Sequence, residues 1–209
     1  LSNVVERLVA TGGHKQSIAM YERLAQIASP ESRARWEDDL RKTLTAAGMH
    51  DELETRTLRD AMSVTLGADV RARRWAEVAL RREANGELRS ALEAYEEAAK
   101  NEPDSVERWS DVERLAEVCR DQPVRIRALR AIREHVDKEG ARAVDKRLAR
   151  TYEAQGNPRA AEDAWRELFE SGPDDEEADQ ALEGFLVGRG DFKALAEHLL
   201  QRAARFGSD

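Results

Sequence analysis

The residue types that carry chemistry are present in this chain, but they are scattered. Four histidines, His14, His50, His135 and His198, have no second histidine or cysteine three or four positions away, which is the spacing a helix needs to offer a metal two ligands. Each therefore reads as a surface or helix-end histidine. Cys119, the single cysteine, stands among apolar residues at helical spacing with no histidine nearby, so it reads as a small buried hydrophobe rather than a nucleophile. The acidic run from Asp174 to Glu177 has the composition of a cation site, yet it stands where a helix should begin, and carboxylates there favour the helix dipole. Gly12-Gly13 and Gly188-Arg189-Gly190 fit neither a dinucleotide fingerprint nor a phosphate loop and read as helix stops. Trp36, Trp75, Trp109 and Trp165 would suit base stacking only if they were exposed. No catalytic constellation emerges, so the expectation is a protein that is not an enzyme and needs no metal or cofactor.

Bulk properties narrow the partners. The chain has 209 residues, 36% charged and 41% hydrophobic, enough apolar material to fold beneath a very polar surface. A net charge of -8 weighs against a general affinity for nucleic acid or anionic membrane. The basic run Arg71 to Arg74 reads as a solvated helix start whose cations pair with nearby acids. No apolar run approaches the roughly 20 residues that cross a bilayer, so no membrane insertion is expected. The lone cysteine excludes an internal disulfide framework and leaves the compartment leaning to the cytoplasm, with the periplasm open. Arginine outnumbers lysine, as in a GC-rich bacterial genome. Starting at Leu1 without a methionine or a leader-like pattern, the sequence reads as a piece of a longer protein.

The organising signal is a spacing. From Gly86, Ala91 lies five residues on, Tyr95 nine, Ala98 twelve and Pro103 seventeen; from Gly156, the same steps reach Ala161, Trp165, Leu168 and Pro173. Val78-Ala79 and Leu148-Ala149 precede the two glycines at equal distances. Fainter copies hang on Gly12, Gly48 and Gly190, and Asp121-Gln122-Pro123 supplies a turn between the two strong copies. A period near 35 over the whole length means stacked repeats. Within each unit, apolar residues recur three and four apart, and no stretch alternates with period two for long, so each unit reads as two helices. Trp75 to Ala84 and Leu88 to Lys100 are one such pair. Asn157, Asp51 and Asp191 are placed to cap helices, with Pro158 in a first turn. The small residues have a packing reason: paired helices approach closely where Ala79 and Ala91, or Ala149 and Ala161, leave room for Tyr95 or Trp165.

With these residues the sequence resembles the tetratricopeptide repeat family. Its 34-residue helix-turn-helix unit carries a large residue, a small one, a turn glycine, alanine, an aromatic, alanine and proline in this order. Trp75, Val78, Ala79, Gly86, Ala91, Tyr95, Ala98 and Pro103 match it, as do Leu148, Ala149, Tyr152, Gly156, Ala161, Trp165, Leu168 and Pro173. The resemblance implies an all-α, right-handed superhelical solenoid of about six antiparallel helix pairs, spanning approximately 1–31, 32–71, 72–105, 106–141, 142–175 and 176–209. It departs from the pattern at Arg82, where the family usually has a tyrosine or other large residue, in the missing turn glycine of 106–141, and in the excess length of 32–71.

The resemblance also implies where a partner would lie. In the family, the first helices of the pairs line a concave groove, which places Arg73, Ala76, Leu80, Arg114, Lys146, Arg150 and Val187 on it, with Arg147 beside them. Cations gathered at Arg114, Lys146, Arg147 and Arg150 would suit an acidic peptide or a terminal carboxylate; alternatively they pair with Asp145, Glu153 and other acids on a solvated face. Arg114 and Arg150 replace the asparagines of the family's chaperone-tail clamp, so that mode is not implied. Two roles follow as expectations. One is a non-catalytic protein-protein interaction scaffold that holds a protein or peptide segment. The other is self-assembly into homo-oligomers through the terminal helices, where Val4, Val5, Leu8 and Val9 at one end and Phe192, Leu195, Leu199, Leu200 and Phe206 at the other form apolar stripes.

Overall fold

The computed structural model describes residues 13–172 and 175–206. The expected first helix with Val4, Val5, Leu8 and Val9, the Gly12 turn, Pro173 and Asp174 lie outside the described residues, as does the side chain of Phe206. Eleven helices and no strand occur among the described residues. They are α1 (His14–Ile27), α2 (Pro30–Ala46), α3 (His50–Ala61), α4 (Ala68–Ala84), α5 (Leu88–Asn101), α6 (Val106–Cys119), α7 (Gln122–Glu134), α8 (Lys138–Ala154), α9 (Pro158–Ser171), α10 (Glu176–Arg189) and α11 (Phe192–Phe206).

The chain divides into two compact units, Leu1–Val78 and Ala79–Asp209. In the N-terminal unit, α1 packs on α2 and α2 on α3. Its core is Ile18, Tyr21, Leu40, Leu44 and Leu53, with the half-buried Trp36 tilted against Tyr21 at a ring distance of 6.1 Å. The C-terminal unit begins with the last turns of α4, and from α5 onward each helix packs on the next along the chain. Short connections make those neighbours antiparallel. The predicted packing code is in place: Ala79, Ala91, Ala149 and Ala161 are wholly buried, and Tyr95 and Trp165 are buried with them. Trp165, Leu168 and Phe169 of α9 close over Ala149 of α8 and Ala178 and Leu182 of α10.

Local chemistry explains the helix ends. Side chains of Ser105, Asp121, Asp137, Asn157, Asp175 and Asp191 each accept a hydrogen bond from the backbone N–H three residues on. The expected cap at Asp51 is not formed: α3 starts two residues earlier than that cap requires, at His50 after Met49, and Asp51 sits in the first turn. The α4 helix also starts earlier than its periodicity predicts, at Ala68. The excess length of the second unit is the connection between α3 and α4, where Met62 and Val64 stand exposed. Arg82, where a tyrosine or other large residue was expected, donates to the Ser90 carbonyl at 3.2 Å and ties α4 to α5.

The turns that follow α2, α4, α6, α8 and α10 each pass through one left-handed residue followed by a bond from the next N–H back to the carbonyl five residues earlier. Gly48, Gly86, Gly156 and Gly190 take this conformation in four hairpins, and Arg120, at φ 56°, takes it in the one without a glycine. A Cβ in that conformation is strained, so Arg120→Gly is expected to stabilise the fold by about 1 kcal/mol. Urea denaturation checks this; a destabilised variant would contradict it.

Candidate functional site

The first helices of the C-terminal hairpins hold the predicted cations, and each cation meets a carboxylate from another helix. On α6, the Arg114 guanidinium forks onto Glu83 of α4 at 2.6 and 2.8 Å, with its charged carbon 5.9 Å from the centre of the Tyr95 ring. Tyr95 Oη donates to the same carboxylate at 3.1 Å. The Arg114 hydrogen bond, with that of Tyr95, holds the Glu83 carboxyl below its usual range. Burial, and then the Glu83 bond, push the Tyr95 phenol up to about 12.

On α8 the three neighbouring cations part company. Lys146 Nζ reaches Asp175 at 2.7 Å and Glu177 at 3.6 Å, and Arg150 Nε donates to Glu177 at 2.8 Å, so these two meet on the start of α10. Arg147 turns the other way, to Glu113 on α6. Glu113 is buried, and Arg125 of α7 donates to it at 3.0 Å. The acids predicted to neutralise this cluster are engaged elsewhere: Asp145 pairs with Arg133, and Glu153 accepts from Trp165 Nε1 at 2.5 Å. Arg114 shares no partner with the α8 cations. Arg73, in the N-terminal unit, pairs with Asp69 one turn back at 2.9 Å, both exposed. Ala76 is buried and so cannot face a groove. By contrast Leu80 and Val187 are 61% and 55% exposed.

Lys146 also lines a cleft of about 960 Å³ among the end of α7, α8, the end of α9 and the start of α10. Arg142, which the sequence did not single out, spans it. Its guanidinium donates to the Gly172 carbonyl at 2.9 Å, to Ser171 Oγ at 3.2 Å and to Asp175 at 2.8 Å. Burial raises the Asp175 carboxyl, but bonds from Lys146, the Ala178 N–H and Arg142 together hold it below the ordinary range. The paired glutamate and aromatic, Glu83 with Tyr95 and Glu153 with Trp165, were also missed. Their signal was legible: a glutamate three residues before the turn glycine and an aromatic nine after it, in both strongest repeats.

His14 and His50 open helices and His135 closes one, as expected. His198 does not fit that expectation. It lies buried in α11, with Nε2 2.8 Å from Asp179 and its ring 4.6 Å from Phe169, because its position in the repeat faces the core. Cys119 ends α6 half-buried, and Trp109 and Trp165 are core residues. Among the described residues, no group of three or more His, Cys, Asp or Glu side chains is placed to hold a metal. No described helix is long and apolar enough to cross a membrane.

No protein-family model matches the chain, and no curated protein matches it in sequence. Among solved structures it is similar to a chain of Naa15/Naa10 bound to HypK-THB, with a TM-score of 0.63 and 19% identity. That likeness covers 94% of this chain but only 30% of the other. It is also similar to a Podosopora anserina protein of nearly identical TPR-like repeats (TM-score 0.44, 18% identity, 79% of this chain and 90% of that one). A third is BtubC (BKLC) from P. vanneervenii (TM-score 0.45, 16% identity, 98% of this chain and 93% of that one). At 19% identity the first of these likenesses speaks to the fold alone.

Proposed function

We propose that this chain, a tetratricopeptide-like helical repeat by fold, is a non-catalytic protein-protein interaction scaffold that holds a peptide or protein segment along the first helices of its C-terminal hairpins. The carrying observation is the exposure of Leu80 on α4 and Val187 on α10, with the arginines Arg114 and Arg150 open to solvent on the first helices α6 and α8. Exposed apolar side chains and arginines are the residue types of an interface centre. A bound segment would cover the two apolar side chains. Its carboxylates would take Arg114 and Arg150 in exchange for Glu83 and Glu177. The similar chain comes from Naa15/Naa10 bound to HypK-THB, which supports a protein-binding use of the fold. A cytoplasmic location goes with this reading.

The test compares proteins retained from the source organism's extract by the immobilised wild-type chain and by a Leu80→Asp, Arg150→Glu, Val187→Asp variant. All three sites are exposed, so an unchanged melting curve is expected. A protein held by the wild type and lost from the variant supports the scaffold; equal retention contradicts it. Arg147 is left intact, because a glutamate there would face the buried Glu113.

A second reading, homo-oligomerisation through the last helix, is favoured by the exposure of Phe192 (71%) and Leu200 (69%) on α11. It predicts a concentration-dependent mass in sedimentation that Phe192→Asp with Leu200→Asp abolishes; a monomer at all concentrations would dismiss it.

A further inference from the structure

The N-terminal unit breaks the repeat's packing rule at one place. Seven residues before the turn glycine, nine after it and twelve after it, the two strongest hairpins carry Ala79, Tyr95 and Ala98, and Ala149, Trp165 and Leu168, all buried. In the α2–α3 hairpin the same three positions are Arg41, Thr57 and Asp60. A small residue, an aromatic and an apolar residue are thus replaced by a polar triad: Arg41 donates to Thr57 Oγ1 at 3.2 Å and pairs with Asp60. The Arg41 side chain is only 13% exposed, and its Nε is buried with no hydrogen-bond partner. An alanine there would close the hairpin without that cost, and such local departures from a fold's own rule accompany function.

The triad opens onto a cleft of about 590 Å³ lined by four arginines, Arg33, Arg41, Arg56 and Arg59, from α2 and α3. Arg56 is paired, to Glu52 at 2.9 Å and to Glu22. Arg33 uses Nε on the Ala25 carbonyl at 3.0 Å, and its terminal nitrogens meet no acceptor among the described residues. Arg59 is exposed and has no ion-pair partner among the described residues. On the acidic side, Asp60 and Glu22 are taken by Arg41 and Arg56. Glu37 has no ion-pair partner among the described residues, and burial, then Asp60, raise its carboxyl above the usual range. The Arg59 guanidinium and the terminal nitrogens of Arg33, whose charge acts on Glu37, therefore line the same cleft, while the orphaned Arg41 Nε–H is buried.

We propose that this cleft binds a phosphate monoester group, carried either by a peptide or by a small phosphorylated molecule. The group's charge of about -1.5 to -2 is attracted by Arg59 and Arg33, and its oxygens accept the paired N–H bonds that a planar guanidinium presents. The chain's net charge of -8 disfavours a long polyanion that would extend beyond the cleft, which separates this site from nucleic-acid binding. The site belongs to the N-terminal unit and does not depend on the scaffold reading.

Isothermal titration of the whole chain with four probes tests it: a phosphoserine peptide, the same peptide unphosphorylated, glucose 6-phosphate and inorganic phosphate. The expected result is saturable binding of at least one phosphorylated probe and none of the unphosphorylated peptide. Arg59→Gln should weaken binding about tenfold and Arg33→Gln with Arg59→Gln about a hundredfold, while Arg166→Gln in the C-terminal unit, where the arginine pairs with Glu162, leaves it unchanged. Tighter binding of the phosphopeptide assigns the peptide source, and tighter binding of glucose 6-phosphate the small-molecule source. No saturable binding of any phosphorylated probe, or equal binding by the double variant with an unaltered melting curve, overturns the proposal.

Discussion

Trp165→Ala is expected to cost about 3–5 kcal/mol, because it empties the largest fully buried position of the C-terminal unit. The ring fills the space that Ala149 and Ala161 leave open and supports Leu168, Phe169 and Leu182, so no neighbour of similar size can collapse into the gap. Trp165→Phe keeps most of the apolar volume and loses the hydrogen bond to the Glu153 carboxylate, which lowers the expected cost to about 1 kcal/mol. Urea denaturation followed by circular dichroism distinguishes the two. An alanine variant that loses less than about 1 kcal/mol would mean that the small-large packing code does not hold this unit together.

Glu113→Ala is expected to cost about 3 kcal/mol by a different route. The carboxylate is buried on α6 and collects Arg125 from α7 and Arg147 from α8, so it links three consecutive helices. Removing it leaves the Arg125 side chain, itself largely buried, with only the exposed Glu117 at 2.9 Å. Arg147 is more open to solvent, and Arg147→Ala should cost nearer 1 kcal/mol. The double variant should cost less than the sum of the two, since both break the same pair. Strict additivity in the denaturation cycle would contradict a shared interaction.

The contrast between these residues shows what the sequence makes legible. Trp165 and its alanines recur at fixed distances from a turn glycine, because hairpin packing imposes the same sterics on every repeat. A periodic pattern is therefore enough to find them. The asparagine and aspartate caps at Asn157 and Asp191 are equally local. Glu113, Arg142 and the partners of Arg114, Arg147 and Arg150 are not local: their ion pairs join residues 12 to 34 apart in sequence, from one helix to another or to the cap of another. Helical periodicity puts a charge on a face but does not say which neighbouring helix supplies its counterpart. For that reason the cations of α8 were predicted as a cluster and are found divided between α6 and α10.

The second hairpin gives the converse lesson. Its weak match to the repeat looked like irregularity, while the structure reveals a coherent substitution, with Arg41, Thr57 and Asp60 hydrogen-bonded in the places of alanine, aromatic and apolar residue. Once the register is known, the departures are as informative as the matches. Arg120 is a second instance, an arginine in the backbone conformation its sister repeats give to glycine.

The most direct measurement of the scaffold is hydrogen exchange of the chain with and without the protein it retains from its source extract. Protection concentrated on α6, α8 and α10 and the end of α4, around Leu80, Arg114, Arg150 and Val187, is the predicted footprint. Protection confined to α5, α7 and α9, or to the exposed face of α11, would contradict binding along the first helices.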